Sequence, residues 1–161
     1  MKKLLPLLCL FLIISACKSK SKTASTKAPE AETKFVKVEL TEVDSQQKKK
    51  AYELGKRVLM TCNTSRFKPF TSKEATASVI QNTTEARLTK TCLKFRLKYG
   101  DFKDLTLVEV WRPKNGESTI YRYKAHYTKK IANKELRVTM DKENRISSLK
   151  STDWTEKYKP L

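Results

Sequence analysis

LTLVEVWRPKNGESTIYRYKAHYT, residues Leu105 to Thr128, is where the spacing of apolar residues becomes two. Two β-prone runs, 105–112 and 118–128, flank Asn115-Gly116, the strongest short hairpin signal. A two-residue loop there fixes the register. It sets Val110 opposite Tyr121 and Val108 opposite Tyr123 on one face. On the other face it sets Glu109 opposite Arg122 and Leu105 opposite His126. The first face is apolar and the second carries an opposite-charge pair, so the first is expected to face the core.

Downstream, Leu136, Val138 and Met140 continue the core face if Lys130 to Asn133 is a loop. Tyr127 then opposes Leu136, and Ala125 opposes Val138. Asp141 to Asn144 reads as a turn, with Asn144 suited to a left-handed position. A fourth strand follows from Arg145 to Ser151. Its faces stay open, because Ile146 and Leu149 point opposite ways under strict alternation. Trp154 and Tyr158 read as a final edge or cap, and 159–161 as a fraying end. Trp111 and Ile120, on the outer face, either cover Trp154 or form a small partner patch.

Upstream, the period is helical. Asp44 with Gln47 resembles a capping box, and Ala51, Leu54, Val58, Leu59 and Cys62 recur on one face of a helix over 45–62. Asn63-Thr64-Ser65 ends it. Thr71 with Glu74 forms a second box before a short helix over 72–81. Asn82 with Glu85 forms a third. Leu88, Cys92, Phe95 and Tyr99 then share a stripe, widened by Leu93 and Leu97, and Gly100 stands where a left-handed residue closes the helix. Phe35 to Val43 reads as a short extended lead-in.

The first residues read differently. Lys2 and Lys3 precede an apolar run from Leu4 to Ile14, too short to span a bilayer but of signal-peptide length. Ile14-Ser15-Ala16-Cys17 follows. Small residues before a cysteine resemble a bacterial lipobox, which implies cleavage after residue 16 and thioether lipidation of Cys17. The alternative is an ordinary secretory signal with Cys17 incidental. Residues 17–34 are Lys, Ser, Thr, Ala and Glu with one Pro, and carry no large apolar side chain. They are expected to form a disordered tether with a reach of about 20–25 Å. Residues 35–161 remain as a single domain with its core at about 44–151.

The chain carries 35 Lys and Arg against 17 Asp and Glu, a formal charge of +18. Such a surplus suits an anionic neighbour: lipid headgroups or an acidic envelope polymer. The charge is mostly Lys spread along the chain, which also fits a plain solvated surface. Nucleic acid is a poor fit for an exported lipoprotein. Among the four cysteines, Cys9 would leave with the signal and Cys17 would carry lipid. Export favours a disulfide between Cys62 and Cys92; two buried thiols on apolar helix faces are the alternative. Two cysteines and one histidine are too few for a usual structural zinc site, and no cofactor motif is present.

Three helices followed by a four-stranded antiparallel meander resemble the nuclear-transport-factor-2-like superfamily. The resemblance also rests on the Leu97-x-Tyr99-Gly100-x-Phe102 junction and the Asn144-x-Ile146 strand start. It covers about residues 44–151 and is nearest to small domains of unknown function in exported bacterial proteins. The fold it implies is α+β: three N-terminal helices packed on a curved four-stranded sheet, a cystatin-like cone. The lysines after Cys17 are also similar to lipoproteins of Bacteroidota. Acidic residues there mark the surface-exported members, so the resemblance implies an outer-membrane anchor facing the periplasm.

Enzymes on this cone resemble one another in placing an Asp, His or Tyr in a pocket between helices and sheet. Here His126 falls on the outer face, Glu109 is paired outward, and Glu135 and Asp141 alternate outward. No catalytic residue can be named. Tyr121, Tyr123 and Tyr127 point inward and would line a pocket, or fill the core with their hydroxyls at its rim. The expectation is a membrane-anchored, non-enzymatic binding or assembly module of the cell envelope. Its partners would be the bilayer through acylated Cys17 and an envelope protein, small ligand or anionic polymer. A cryptic enzyme using the tyrosines is the alternative.

Overall fold

A computed structural model describes residues 34–160. The expected signal peptide, the expected lipidation site at Cys17 and nearly all of the expected tether fall outside the described residues. What is described is α+β, with three helices and an open five-stranded antiparallel sheet in the order β1-β2-β3-β4-β5. The strands are β1 (Phe35–Val38), β2 (Phe102–Pro113), β3 (Ser118–Tyr127), β4 (Lys134–Asp141) and β5 (Ile146–Asp153). The helices are α1 (Ser45–Thr64), α2 (Ala77–Asn82) and α3 (Glu85–Tyr99).

The sheet has one strand more than the sequence suggests. The lead-in at Phe35 pairs with the far end of β2, Val38 opposite Val110 and Phe35 opposite Pro113. A four-residue strand bears too little alternation to be recognised, and β2 supplies the edge that makes it one.

The hairpin register holds near its tip: Val110 faces Tyr121 and Glu109 faces Arg122. The connection itself is not the expected two-residue loop: it spans 114–117, the Gly116 N–H donates to the Pro113 carbonyl at 2.8 Å, and Gly116 takes a positive φ of 67°. Further from the tip the expected pairing fails. A bulge between Leu107 and Glu109 ejects Val108, so Leu107 faces Tyr123 and Val108 is 37 % exposed. Leu105 accordingly meets Ala125, and His126 meets Asp104. Each bulge adds one residue to one strand and bends it, which returns Leu105 to the core face. A further bulge, in β5 at Ser147 opposite Thr139 and Met140, resolves the faces of β5. It sets Met140 opposite Ile146 and Val138 opposite Leu149, so both apolar residues turn inward.

The β3–β4 pairing also departs from expectation. Tyr123 opposes Leu136 and Ala125 opposes Lys134, not Val138. The slip is an even number of residues, so every side chain keeps its face.

Asp44 caps α1 as expected, accepting from the Gln47 N–H at 2.6 Å. The Gln47 side chain does not close the box. Its Nε2 donates to Asn144 Oδ1 at 2.7 Å and ties α1 to the β4–β5 turn. The buried face of α1 is Ala51, Leu54, Val58 and Leu59, with Gly55 between. A Cβ at Gly55 would stand 2.9 Å from Leu136 Cδ2 and 3.0 Å from Val138 Cγ2. The glycine thus lets the helix backbone lie against the sheet.

The second box does not start a helix. Glu74 reaches back to the Thr71 N–H at 2.9 Å, but the backbone then joins the sheet edge. Ile146 N–H donates to Glu74 O and Thr76 N–H donates to Ile146 O. Residues committed to a strand cannot propagate a helix, so α2 begins only at Ala77. Thr84, not Asn82, caps α3 and accepts from the Arg87 N–H. Leu93 and Leu97, expected to widen the buried stripe, are 66 % and 69 % exposed. Only Cys92 and Tyr99 of α3 are buried, because this helix lies along the margin of the domain.

The part of the outer face around Trp111, Arg122 and Arg137 is covered by the segment that follows β5. After β5, residues 154–159 cross it. Trp111 stacks on Tyr158 with ring centroids 4.4 Å apart, so the intramolecular reading holds with a different partner from the one expected. Trp154 instead covers Arg122, whose guanidinium carbon is 4.0 Å from the ring centroid. Lys159 is held by Arg137 Nη1, which donates to its carbonyl at 2.6 Å, so it does not fray. Glu135 does point outward, but this cover leaves it fully buried.

Candidate functional site

The site begins with how α3 is attached. Asn63, at the end of α1, accepts from the Phe102 N–H at 2.9 Å and donates to the Phe102 carbonyl at 2.7 Å. The amide thus copies a strand partner and fixes where β2 starts. Gly100, at φ 79°, turns the chain out of α3 into that strand. A disulfide joins Cys62 of α1 to Cys92 of α3, with Cα atoms 4.7 Å apart. Between these fastenings α3 stands off the sheet, and a cleft of about 300 Å³ opens behind it.

Val58, Leu59 and Leu136 form the apolar floor of the cleft, and Leu88, Phe95 and Leu149 its half-buried sides. Cys62 and Cys92 form its end wall. Asn82, Thr83, Thr91 and Ser151 supply polar atoms at the rim. Among the described residues that line it, none is ionisable, since both cysteines are bonded. Such a lining can exclude water from an apolar body and orient it through a few neutral hydrogen bonds. It offers no group to move a proton.

The inward tyrosines lie elsewhere. Tyr121 and Tyr123 are 0 % and 1 % exposed, with rings 6.5 Å apart. The Tyr121 hydroxyl donates to Gln47 Oε1 at 2.8 Å, and the Tyr123 hydroxyl points at the Lys48 carbonyl at 3.5 Å. Burial pushes both phenols well above their ordinary range. Tyr127 is pushed up to about 12, mainly by burial. Phenols in this state stay protonated at neutral pH. Tyr123 also borders a small recess with Lys48, Lys49, Tyr52 and Leu107. Tyr127 packs against Tyr99 and Phe102. His126 is exposed and shares a 2.9 Å hydrogen bond with Thr106.

Among the described residues two carboxyl groups are also strongly perturbed, and both are structural. Asp104 is held down to about 2 by hydrogen bonds from Tyr52 and then Lys56. Glu74 is held down to about 2, first by the hydrogen bond from Arg57 at 2.7 Å. Neither lines the cleft. Among the described residues no group of three or more His, Cys, Asp or Glu is placed to hold a metal ion, and no helix is long and apolar enough to cross a membrane.

The sequence names Leu88, Cys92 and Phe95 as core residues, not as the wall of a cleft. One signal was present: the third helix has only four residues on its main apolar stripe, too narrow to seal against a sheet along its whole length.

In comparisons with known proteins, no family model matches the chain, and no curated protein and no solved structure matches it.

Proposed function

We propose that this protein is a lipid-anchored, non-enzymatic binding module of the cell envelope, whose cleft behind α3 takes an apolar ligand. The observation that carries the binding reading is the cleft itself: an apolar floor, a neutral polar rim and no ionisable lining group. The tyrosines of the enzymatic alternative are committed to core packing and internal hydrogen bonds, which favours binding over catalysis.

Anchoring is the second half of the proposal. It rests on the Lys2-Lys3 start, the apolar run to Ile14 and the Ser15-Ala16-Cys17 site. Acylated Cys17 would hold the domain to the outer membrane, facing the periplasm, on a tether of about 20–25 Å reach. The resemblance to the nuclear-transport-factor-2-like cone belongs to the same reading. What supports it is α1 laid across one sheet face at Gly55, together with the bulges that bend β2 and β5.

The test is uptake of the fluorescent apolar probe N-phenyl-1-naphthylamine by the purified protein. Probe fluorescence should rise on binding, and Thr91→Trp, which plugs the rim, should abolish the rise without lowering thermal stability. A folded Thr91→Trp variant that still takes up the probe would sink the cleft assignment. Palmitate labelling of cells tests the anchor separately: the label should be lost in Cys17→Ser.

A further inference from the structure

The outward face of α3 has no covering element among the described residues, and its chemistry is specific. Among the described residues six large apolar side chains are exposed: Val36, Leu40, Leu93, Leu97, Val108 and Ile131. Of these only Leu93 and Leu97 stand one turn apart on a single helix. Lys90 and Lys94 repeat at the same spacing on the adjoining stripe, with Arg87 and Lys98 extending it. Neither Lys90 nor Lys94 has an ion-pair partner among the described residues. Arg96, which points to the other side, is neutralised by Asp101 at 2.7 Å. On α3, Lys90 and Lys94 therefore carry their charge unpaired beside the leucines.

The β3–β4 loop is fastened to the same end of α3. Lys129 N–H donates to the Tyr99 carbonyl at 3.1 Å, and Lys129 Nζ donates to the Leu97 carbonyl at 2.6 Å. The loop carries Lys130 and the 69 % exposed Ile131. The margin of the domain thus presents apolar side chains ringed by lysines.

We infer that this margin is a membrane-docking face, which lays α3 along an anionic lipid surface. Leucine and isoleucine side chains enter the interface while the lysines, on long flexible stems, meet the phosphates. A helix with adjoining apolar and basic stripes is the pattern that binds such surfaces. Each lysine near an anionic leaflet and each buried methylene contributes to the same end. The inference goes beyond the tethered reading, in which only acylated Cys17 touches the bilayer. It requires neither the cleft nor the acyl chain. If it holds, the rear of α3, which walls the cleft through Leu88 and Phe95, faces away from the lipid.

The test uses the chain from residue 17 onward with Cys17→Ser, which contains every described element but cannot be acylated. Its co-sedimentation is measured with vesicles of mixed phosphatidylglycerol and phosphatidylethanolamine, against phosphatidylcholine vesicles, at about 0.15 M salt. Binding to the anionic vesicles alone is expected. Leu93→Gln with Leu97→Gln leaves the charge unchanged and should weaken binding about tenfold. Lys90→Gln with Lys94→Gln should weaken it by about tenfold or more. Lys68→Gln with Lys142→Gln removes the same charge from exposed positions off α3 and should leave most of the binding. All six positions are exposed, so the variants should fold, as their circular dichroism will show. Absence of binding to anionic vesicles would overturn the inference. So would an unchanged leucine variant, or a distal lysine pair that costs as much as the α3 pair.

Discussion

Arg122 and Glu135 form an ion pair in which both side chains are fully buried, yet it lies on the outer face of the sheet. Arg122 Nη2 stands 2.7 Å from Glu135 Oε2. The other carboxylate oxygen accepts from Arg137 Nε at 2.5 Å and from the Thr152 hydroxyl at 3.1 Å. Arg122 also meets Glu109 at 2.9 Å and donates to the Thr155 carbonyl. Burial alone would push the Glu109 carboxyl up, but hydrogen bonds from Arg122 and Trp111 outweigh it and hold it down. Trp154 and Tyr158 close over the two arginines.

A buried pair is strongly destabilised when one partner is removed, because the other is left charged and dry. Glu135→Leu should therefore cost about 3–5 kcal/mol, read by urea denaturation. The triple variant Arg122→Met, Glu135→Leu and Arg137→Met removes both arginines that Glu135 pairs, while Glu109 keeps Lys37 and Trp111, and should recover much of that loss. If the triple variant is as unstable as the single, the loss does not come from the orphaned charge.

The Cys62–Cys92 bond closes a loop with a sequence separation of 30 residues. In the chain-entropy account such a bridge contributes about 3–4 kcal/mol. Cys62→Ser with Cys92→Ser, or addition of a thiol reductant, should lower stability by that order. The cleft should loosen too, since α3 loses its main fastening to α1. Equal melting temperatures with and without reductant would show that the bridge is not formed in solution.

Gly55 carries α1 against the sheet with no room for a side chain. Gly55→Leu should destabilise by at least ~3 kcal/mol, because the new atoms would overlap Leu136 and Val138. Thermal denaturation measures this directly. A variant that folds with wild-type stability would mean that α1 can lift off the sheet without loss.

Glu74 predicts the pH dependence of the segment joining α1 to α2. Its carboxyl falls from the ordinary 4.5 to about 2, first through the Arg57 hydrogen bond. A lowered folded pKa adds stability that is fully present above pH 4.5 and is lost as pH falls through 2. Glu74→Gln should thus cost about 1–3 kcal/mol at neutral pH, and the difference from wild type should vanish near pH 2. Constant destabilisation across that range would remove the ion pair from the account.

Local chemistry was legible wherever neighbours in the chain decide the outcome. The Asp44 cap, the Gly116 and Asn144 turns, the register at the hairpin tip and the switch from helix to sheet at Gly100 all depend on a few consecutive residues. The Thr71–Glu74 box was legible as chemistry but not as structure. The glutamate makes its bond, while the β5 edge takes the backbone that a helix would need. For the cleft, the wall residues of α3 were visible as an apolar stripe, but the gap behind them was not.

The sequence by itself determined the α+β order, the inward faces of β3 and β4, and the candidate lipid site at Cys17. Tertiary structure decided the rest. β1 exists because β2 offers an edge. Val108 is ejected because Glu109 must face Arg122 while Leu107 and Val110 face the core. Glu135 is buried because residues distant in sequence cross above it. Leu93 and Leu97 stay exposed because no described element lies opposite them. Caps and turns are settled within one turn of chain, whereas burial depends on which remote segment lies across a given face.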